Sequence, residues 1–145
     1  AVYQYPGNHY AHQAWLTEDH RVLFLNDELD ELRDGHNTRT YMIDVSDLDS
    51  PRFMGYVQHD TPAIDHNLYI RGNRMYQANY LAGLQVFDVS DATPSGVERI
   101  GFFDTTPNLT EMEFQGTWSV YPWLTDGKVI LSDIEQGMFV VELDP

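Results

Sequence analysis

Apolar positions in this chain fall in short runs, each closed by Gly, Asn, Asp or Pro. The runs are rich in Val, Ile, Tyr and Phe and read as strands. They are Val22–Leu25, Thr40–Val45, Phe53–Val57, Arg74–Tyr80, Leu84–Val89, Ile100–Phe103, Lys128–Leu131 and Met138–Leu143. Helical spacing is nearly absent. Only Asp27 to Arg33 (DELDELR) offers a turn or two, without a sustained apolar stripe. The pattern predicts an all-β chain.

The runs also recur. Tyr41-Met-Ile-Asp-Val-Ser-Asp47 matches Gln85-Val-Phe-Asp-Val-Ser-Asp91 at an offset of 44 residues. Upstream, His12-Gln-Ala-Trp15 matches His66-Asn-Leu-Tyr69; downstream, Phe53-Met-Gly-Tyr-Val57 matches Arg99-Ile-Gly-Phe-Phe103. A third copy begins at Trp118-Ser-Val-Tyr121 and continues through Lys128–Asp133 to Gly137–Val141. Each copy reads as antiparallel strands, and four strands in roughly 40–50 residues make a β-propeller blade. The chain thus divides into blades at residues 11–60, 61–105 and 116–145, the last lacking its outer strand. Residues 1–7 alternate and are expected to form the outer strand of a neighbouring or split blade. Three blades are fewer than a ring needs. The remainder of a longer propeller, or additional copies of the chain, would close it. The start at Ala1, not Met, favours the C-terminal part of a longer protein.

Composition narrows the partners. With 23 Asp+Glu against 8 Lys+Arg, the formal charge is -15, which repels nucleic acid and anionic membrane surfaces. The longest apolar runs are four or five residues, too short for a transmembrane segment. With no cysteine, disulfides, thiolate metal sites and a Cys nucleophile are excluded. No Gly-x-Ser-x-Gly elbow, His-Glu-x-x-His pair or P-loop occurs. Asn108-Leu109-Thr110 is a formal glycosylation sequon.

The segment His66 to Asp91, with its Gly72-Asn73 turn, Gly83-Leu84 and closing Asp88-Val-Ser-Asp91, resembles the LVIVD repeat. Ala11-His-Gln-Ala-Trp-Leu-Thr-Glu-Asp19 with Asn26-Asp-Glu-Leu-Asp-Glu31 resembles the choice-of-anchor B family of exported bacterial proteins. Trp118-Ser-Val-Tyr-Pro122 with Ser132–Gly137 does the same. The resemblance spans almost the whole chain. It implies a β-propeller, export and attachment at the cell surface; it implies no reaction. The first copy departs from the plain repeat in its long loop, and the third lacks the Asp-Val-Ser-Asp turn.

Strand pairing suggests where chemistry gathers. A turn at Glu18–Arg21 sets His12 opposite Asp27; one at Arg71–Arg74 sets His66 opposite Asn79; one at Asp126-Gly127 sets Trp118 near Asp133 and Ile134. His12, Asp27, Glu28, His66, Asn79, Trp118, Asp133 and Glu135 would then share one end of the innermost strands. Imidazole with carboxylate suits a transition metal, here through His12, Asp27, Glu28 and His66, whereas carboxylates alone suit Ca²⁺. The plain alternative is that Asp27–Glu31 is a solvated acidic loop. Trp15, Tyr69 and Tyr121 fall at equivalent positions and are read as packing residues; Trp123 has no counterpart and is expected to be exposed. His36 and His59 are assigned to loops. The Asp-Val-Ser-Asp repeats are read as turns fixed by side-chain bonds. The function these features suggest is a non-catalytic, exported interaction or structural module with a protein or glycan ligand. The alternative is a metal-dependent hydrolase of the cell envelope.

Overall fold

The computed structural model describes residues 2–109 and 111–143. Its strands form three antiparallel sheets. The first contains β1 (Ala11–Leu16), β2 (Val22–Asp27), β3 (Arg39–Asp44) and β4 (Arg52–Gln58), paired in chain order. The second contains β5 (Asn67–Arg71), β6 (Arg74–Ala78), β7 (Leu84–Asp88) and β8 (Glu98–Phe103), again in chain order. The third has β9 (Thr117–Tyr121), β10 (Lys128–Asp133) and β11 (Gly137–Glu142). One short helix, α1 (Asp30–Asp34), lies between β2 and β3 and closes on Gly35 in the left-handed region. It occupies the one stretch where the sequence offered helix.

The second sheet is the middle layer. Phe24, Met42 and Val57 of the first sheet pack with Leu68, Met75 and Phe87 of the second. On its other face Tyr76, Leu84 and Val86 meet Val120, Val129 and Leu131 of the third. Both faces of β7 are therefore covered, and Leu84 to Phe87 are all buried. This explains why that stretch reads as a nearly continuous apolar run without polar alternation. The first strands of the sheets approach one another, β1 against β5 and β5 against β9.

The first two sheets share an irregularity. Met54 in β4 and Ile100 in β8 are the extra residues of bulges, each one position before a glycine. Asp44 Oδ1 accepts the Ser46 N–H at 3.0 Å, and Asp88 Oδ1 accepts the Ser90 N–H at 2.7 Å. The Asp-Val-Ser-Asp motifs thus fix turns. Gly83 is needed for a different reason: a Cβ there would lie 2.2 Å from the Phe103 carbonyl oxygen.

The start of the chain departs from expectation. Residues 2–7 join no sheet. Tyr5 is instead buried on the outer face of the first sheet, its ring 4.8 Å from that of Tyr41. The reason is polar as much as apolar, because the Tyr5 hydroxyl donates to Asp27 at 2.6 Å. Ala1, and Thr110 of the sequon, lie outside the described residues. No helix among the described residues is long and apolar enough to cross a membrane.

Candidate functional site

The equivalent positions at the start of each sheet come together as a stack of rings. The His12 and His66 rings lie 4.4 Å apart, and Trp118 covers the other side of His66 at 4.3 Å. Two of the three are bulge residues. Ala11 and Gln13 pair with Asp27 and Asn26, leaving His12 as an extra residue; Thr117 and Ser119 pair with Asp133 and Ser132, leaving Trp118. A bulge re-aims its extra side chain out of the strand's alternation. Here it turns both rings toward His66, which directly precedes β5.

Glu28, just past β2, completes the group. Glu28 oxygens lie 3.5 Å from His66 Nε2 and 4.0 Å from His12 Nε2. Each imidazole is held from behind: His12 Nδ1 is 3.0 Å from the His66 carbonyl oxygen, and His66 Nδ1 is 2.7 Å from that of Trp118. A carbonyl only accepts, so each Nδ1 carries a hydrogen, and in the neutral imidazole each Nε2 presents a lone pair. With both rings neutral, two nitrogen lone pairs face a carboxylate with nothing donated between them. Burial pushes the His66 pKa down, against the opposing pull of its bond to the Trp118 carbonyl. Protonating His66 is thus a costly way to relieve the arrangement.

Tyr80 supports Glu28 from the middle sheet. Its hydroxyl donates to Glu28 Oε1 at 2.6 Å, and burial together with that bond raises the phenol's pKa. Tyr80 has a φ of 43°, an unfavourable conformation for a bulky residue. It is held there by reciprocal backbone bonds with Thr117, at 3.2 and 3.0 Å. Backbone strain of this kind collects at functional positions. Nothing in the sequence pattern marked Tyr80, since its role depends on a backbone conformation that a Tyr rarely takes.

The other expected residues do different work. Asp27 is fully buried and turned toward the first residues of the chain. It accepts from the Tyr5 hydroxyl at 2.6 Å and from the His9 and Tyr10 N–H groups at 2.8 and 2.6 Å. Its oxygens are taken up by these donors, and it is not part of the His12–Glu28–His66 group. Asn79 lies inside the protein beside Gln77 and His59. Asp133 caps a turn, accepting from the Glu135 and Gln136 N–H groups. Glu135 accepts from the Gly116 N–H at 2.9 Å. His59 follows β4 in a loop as expected, yet it is buried, with its ring 4.7 Å from Phe87. Trp123 is half-buried among Trp15, Tyr69 and Tyr121, its centroid 5.4 to 6.0 Å from theirs.

The largest correction concerns the acidic run. It is not a solvated loop: Asp27, Asp30 and Glu31 have no exposed surface, and Glu28 is largely covered. Asp30 and Glu31 meet Asp65, also fully buried, in a second group whose ligand atoms lie within 4.8 Å of one another. Burial raises the pKa of all three, and their mutual repulsion raises Glu31 and Asp65 further. Asp65 was not singled out in the sequence, where it is an isolated acid before His66. No protein-family model and no curated protein matches the chain.

Proposed function

We propose that this chain is a metal-dependent binding module, in which His12, Glu28 and His66 hold one transition-metal ion of the Zn²⁺ class. The carrying observation is the pair of Nε2 lone pairs facing the Glu28 carboxylate, each imidazole fixed by a carbonyl behind it. Metal-ligating histidines are oriented by such second bonds. Bonds of 2.0–2.1 Å to a tetrahedral ion place neighbouring ligand atoms about 3.4 Å apart. The His66–Glu28 spacing of 3.5 Å is close to this, and the His12 contact at 4.0 Å is slightly wider.

Three protein ligands leave one position for a donor from a partner. His12 and Trp118 border it from the solvent side, with 25% of the His12 side chain exposed and Trp118 about half exposed. A protein or glycan ligand with an oxygen donor and an apolar or ring surface fits this combination. Hydrolysis is the second reading, favoured by the same open position. It is the weaker of the two because Glu28, the only carboxylate of the group, would be spent as a ligand and not free as a base.

The fold reading proposed with it is a β-propeller segment of LVIVD-repeat type. Its supports are the equivalent ring positions, the equivalent bulges and the successive packing of the three sheets. The resemblance to the choice-of-anchor B family adds export and a cell-surface setting. Met138 and Val140 of β11 expose an apolar flank, which suits further blades from a longer chain or another copy. A sedimentation mass for the 145-residue chain separates self-assembly from a monomer awaiting the rest of its ring.

Cobalt titration tests the metal reading. The expected result is one Co²⁺ per chain with visible bands of tetrahedral or five-coordinate geometry, displaced by Zn²⁺ and lost in His12→Ala and His66→Ala. Absence of stoichiometric uptake, or uptake unchanged in both variants, refutes it.

A further inference from the structure

Asp30, Glu31 and Asp65 are distinct from the group just described. Their three carboxyls are sealed from solvent, with the His36 Nε2 3.7 Å from Asp30 Oδ2. Acidic residues clustered on a surface would mean little, but these carry an independent anomaly. Neither oxygen of Asp65 has a hydrogen-bond partner, although the residue is fully buried. Glu31, equally buried, meets only the Asp30 carboxyl and the Glu31 and Asp65 N–H groups. Buried carboxylates without partners are strongly destabilising unless they take up a proton or a cation meets them. Asp30 differs only in part: its Oδ2 accepts from the Tyr41 hydroxyl at 2.7 Å, and its Oδ1 is bare.

The surrounding backbone holds the three acids in place. Asp30 and Glu31 open α1, whose position is set by the Gly35 N–H bonding back to the Glu31 carbonyl at 2.9 Å. Asp65 lies on the connection from β4 to β5, which is tied to the residue before β3. The Thr38 N–H donates to the Thr61 carbonyl at 3.1 Å, and the Thr38 hydroxyl donates to the Ala63 carbonyl. The group thus joins the insertion of the first sheet to the lead-in of the second.

We infer that Asp30, Glu31 and Asp65 form a buried calcium site that clamps α1 to the β4–β5 connection. Oxygen ligands around Ca²⁺ at 2.3–2.6 Å are separated by at most about 5 Å, and these donors fall within 4.8 Å of one another. Three carboxylates, with both oxygens of Asp65 unpartnered, can supply mono- and bidentate contacts. Mg²⁺ suits the place less well, because it retains several waters and these three residues have no exposed surface. Imidazole-seeking metals favour the other group, where two histidines face one carboxylate, whereas here three carboxyls outnumber the single nearby imidazole of His36.

Terbium titration tests the assignment, since Tb³⁺ takes calcium's place and is sensitised by a nearby tyrosine. Tyr41 touches Asp30 directly. The native chain should bind one Tb³⁺ with emission excited through tyrosine and displaced by Ca²⁺. Its melting temperature should climb with calcium concentration. Asp65→Asn should weaken binding by about tenfold or more, because it removes ligand charge. Tyr41→Phe should keep calcium-dependent melting while losing most sensitised emission. A native melting temperature indifferent to millimolar calcium overturns the proposal, as does Tb³⁺ binding that Asp65→Asn leaves unchanged. If Asp65→Asn does not fold, the calcium dependence of the native chain decides alone.

Discussion

Glu28 and Glu31 are three residues apart in one acidic run, and they end in opposite environments. Glu28 reaches the ring cluster at the start of β1, β5 and β9, beside aromatic side chains and bordering solvent. Glu31 points into a sealed pocket of carboxylates beneath the β4–β5 connection. The first group mixes nitrogen and oxygen donors whose directions are fixed by second bonds; the second gathers three carboxyls, of which Asp65 is unpaired. The chain turns from β2 into α1 between them, and that turn sorts like charges into different chemistries. Net charge describes such a run poorly, because each carboxylate's role follows from what meets it across the fold.

The contrast is broken most sharply by exchanging metals and variants. His66→Ala should cost the cobalt site about a hundredfold or more in affinity and leave terbium binding intact. Asp65→Asn should do the reverse. Equilibrium titration of both ions against both variants gives the four values needed. If either substitution weakens both ions equally, the two groups are one coupled unit and their division is wrong.

Asp27 provides the next test, since it belongs to the run but to neither group. Its carboxylate answers the Tyr5 hydroxyl and two backbone N–H groups in a buried setting. Asp27→Ala strands these donors, and each buried unmade bond costs about 1–3 kcal/mol. A total loss of about 3–5 kcal/mol in urea unfolding is expected. Cobalt affinity of the folded fraction should stay near that of the native chain. A large loss of cobalt affinity with little loss of stability would place Asp27 among the ligands after all.

How much of this was legible follows from the same residues. The strands, their antiparallel pairing and the equivalence of His12, His66 and Trp118 were readable, because alternation and repetition are properties of the sequence itself. The gathering of His12, Glu28 and His66 at one end followed from counting across turns. Asp27 was misassigned because the bulge at His12 shifts the register by one residue, and a bulge leaves no apolar signature. Burial of Asp30 and Glu31 was invisible for a different reason. It requires Asp65, which arrives from a distant connection, and nothing in DELDELR announces such a partner. The first residues were read as a strand from their alternation; Tyr5 instead satisfies Asp27.

Tyr80 sharpens the comparison on the side of Glu28. Tyr80→Phe removes the hydroxyl bonded to Glu28 and leaves the ring in place. Loss of a bond that orients a ligand typically costs 10–100-fold in metal affinity, and about tenfold is expected here. Terbium binding at the carboxylate pocket should not move. Equal cobalt affinity in Tyr80→Phe would mean that Glu28 needs no orientation, and the strained backbone at Tyr80 would then serve packing alone.

His59 supplies an imidazole outside both groups, against which their acid sensitivity can be measured. It is buried, its Nε2 3.2 Å from the Thr40 hydroxyl and its Nδ1 3.4 Å from Asn79. The nearby charges are Arg99 and Asp60, which bond to each other at 2.7 and 2.8 Å. Burial, reinforced by Arg99 and opposed by Asp60, pulls the His59 pKa down to about 3. The unfolded chain titrates near 6.5, so between these values the unfolded state binds more protons. Stability attributable to neutral His59 is therefore complete above pH 6.5 and is lost as the pH falls toward 3. At pH 5.5 the expected loss is about 1.4 kcal/mol. Urea unfolding of metal-free protein at pH 7.5 and 5.5 measures it. His59→Gln keeps a polar side chain among Thr40 and Asn79 and should reduce the pH difference by that amount. If the variant loses stability on acidification as steeply as the native chain, the sensitivity lies in another imidazole such as His66, whose pKa burial also lowers, and not in His59. The carboxylate pocket would push the other way, because acids whose pKa is raised on folding favour the folded state as the pH falls. A native chain that gains stability between pH 7.5 and 5.5 would therefore show the pocket outweighing His59. The difference between native and His59→Gln isolates the imidazole in either case.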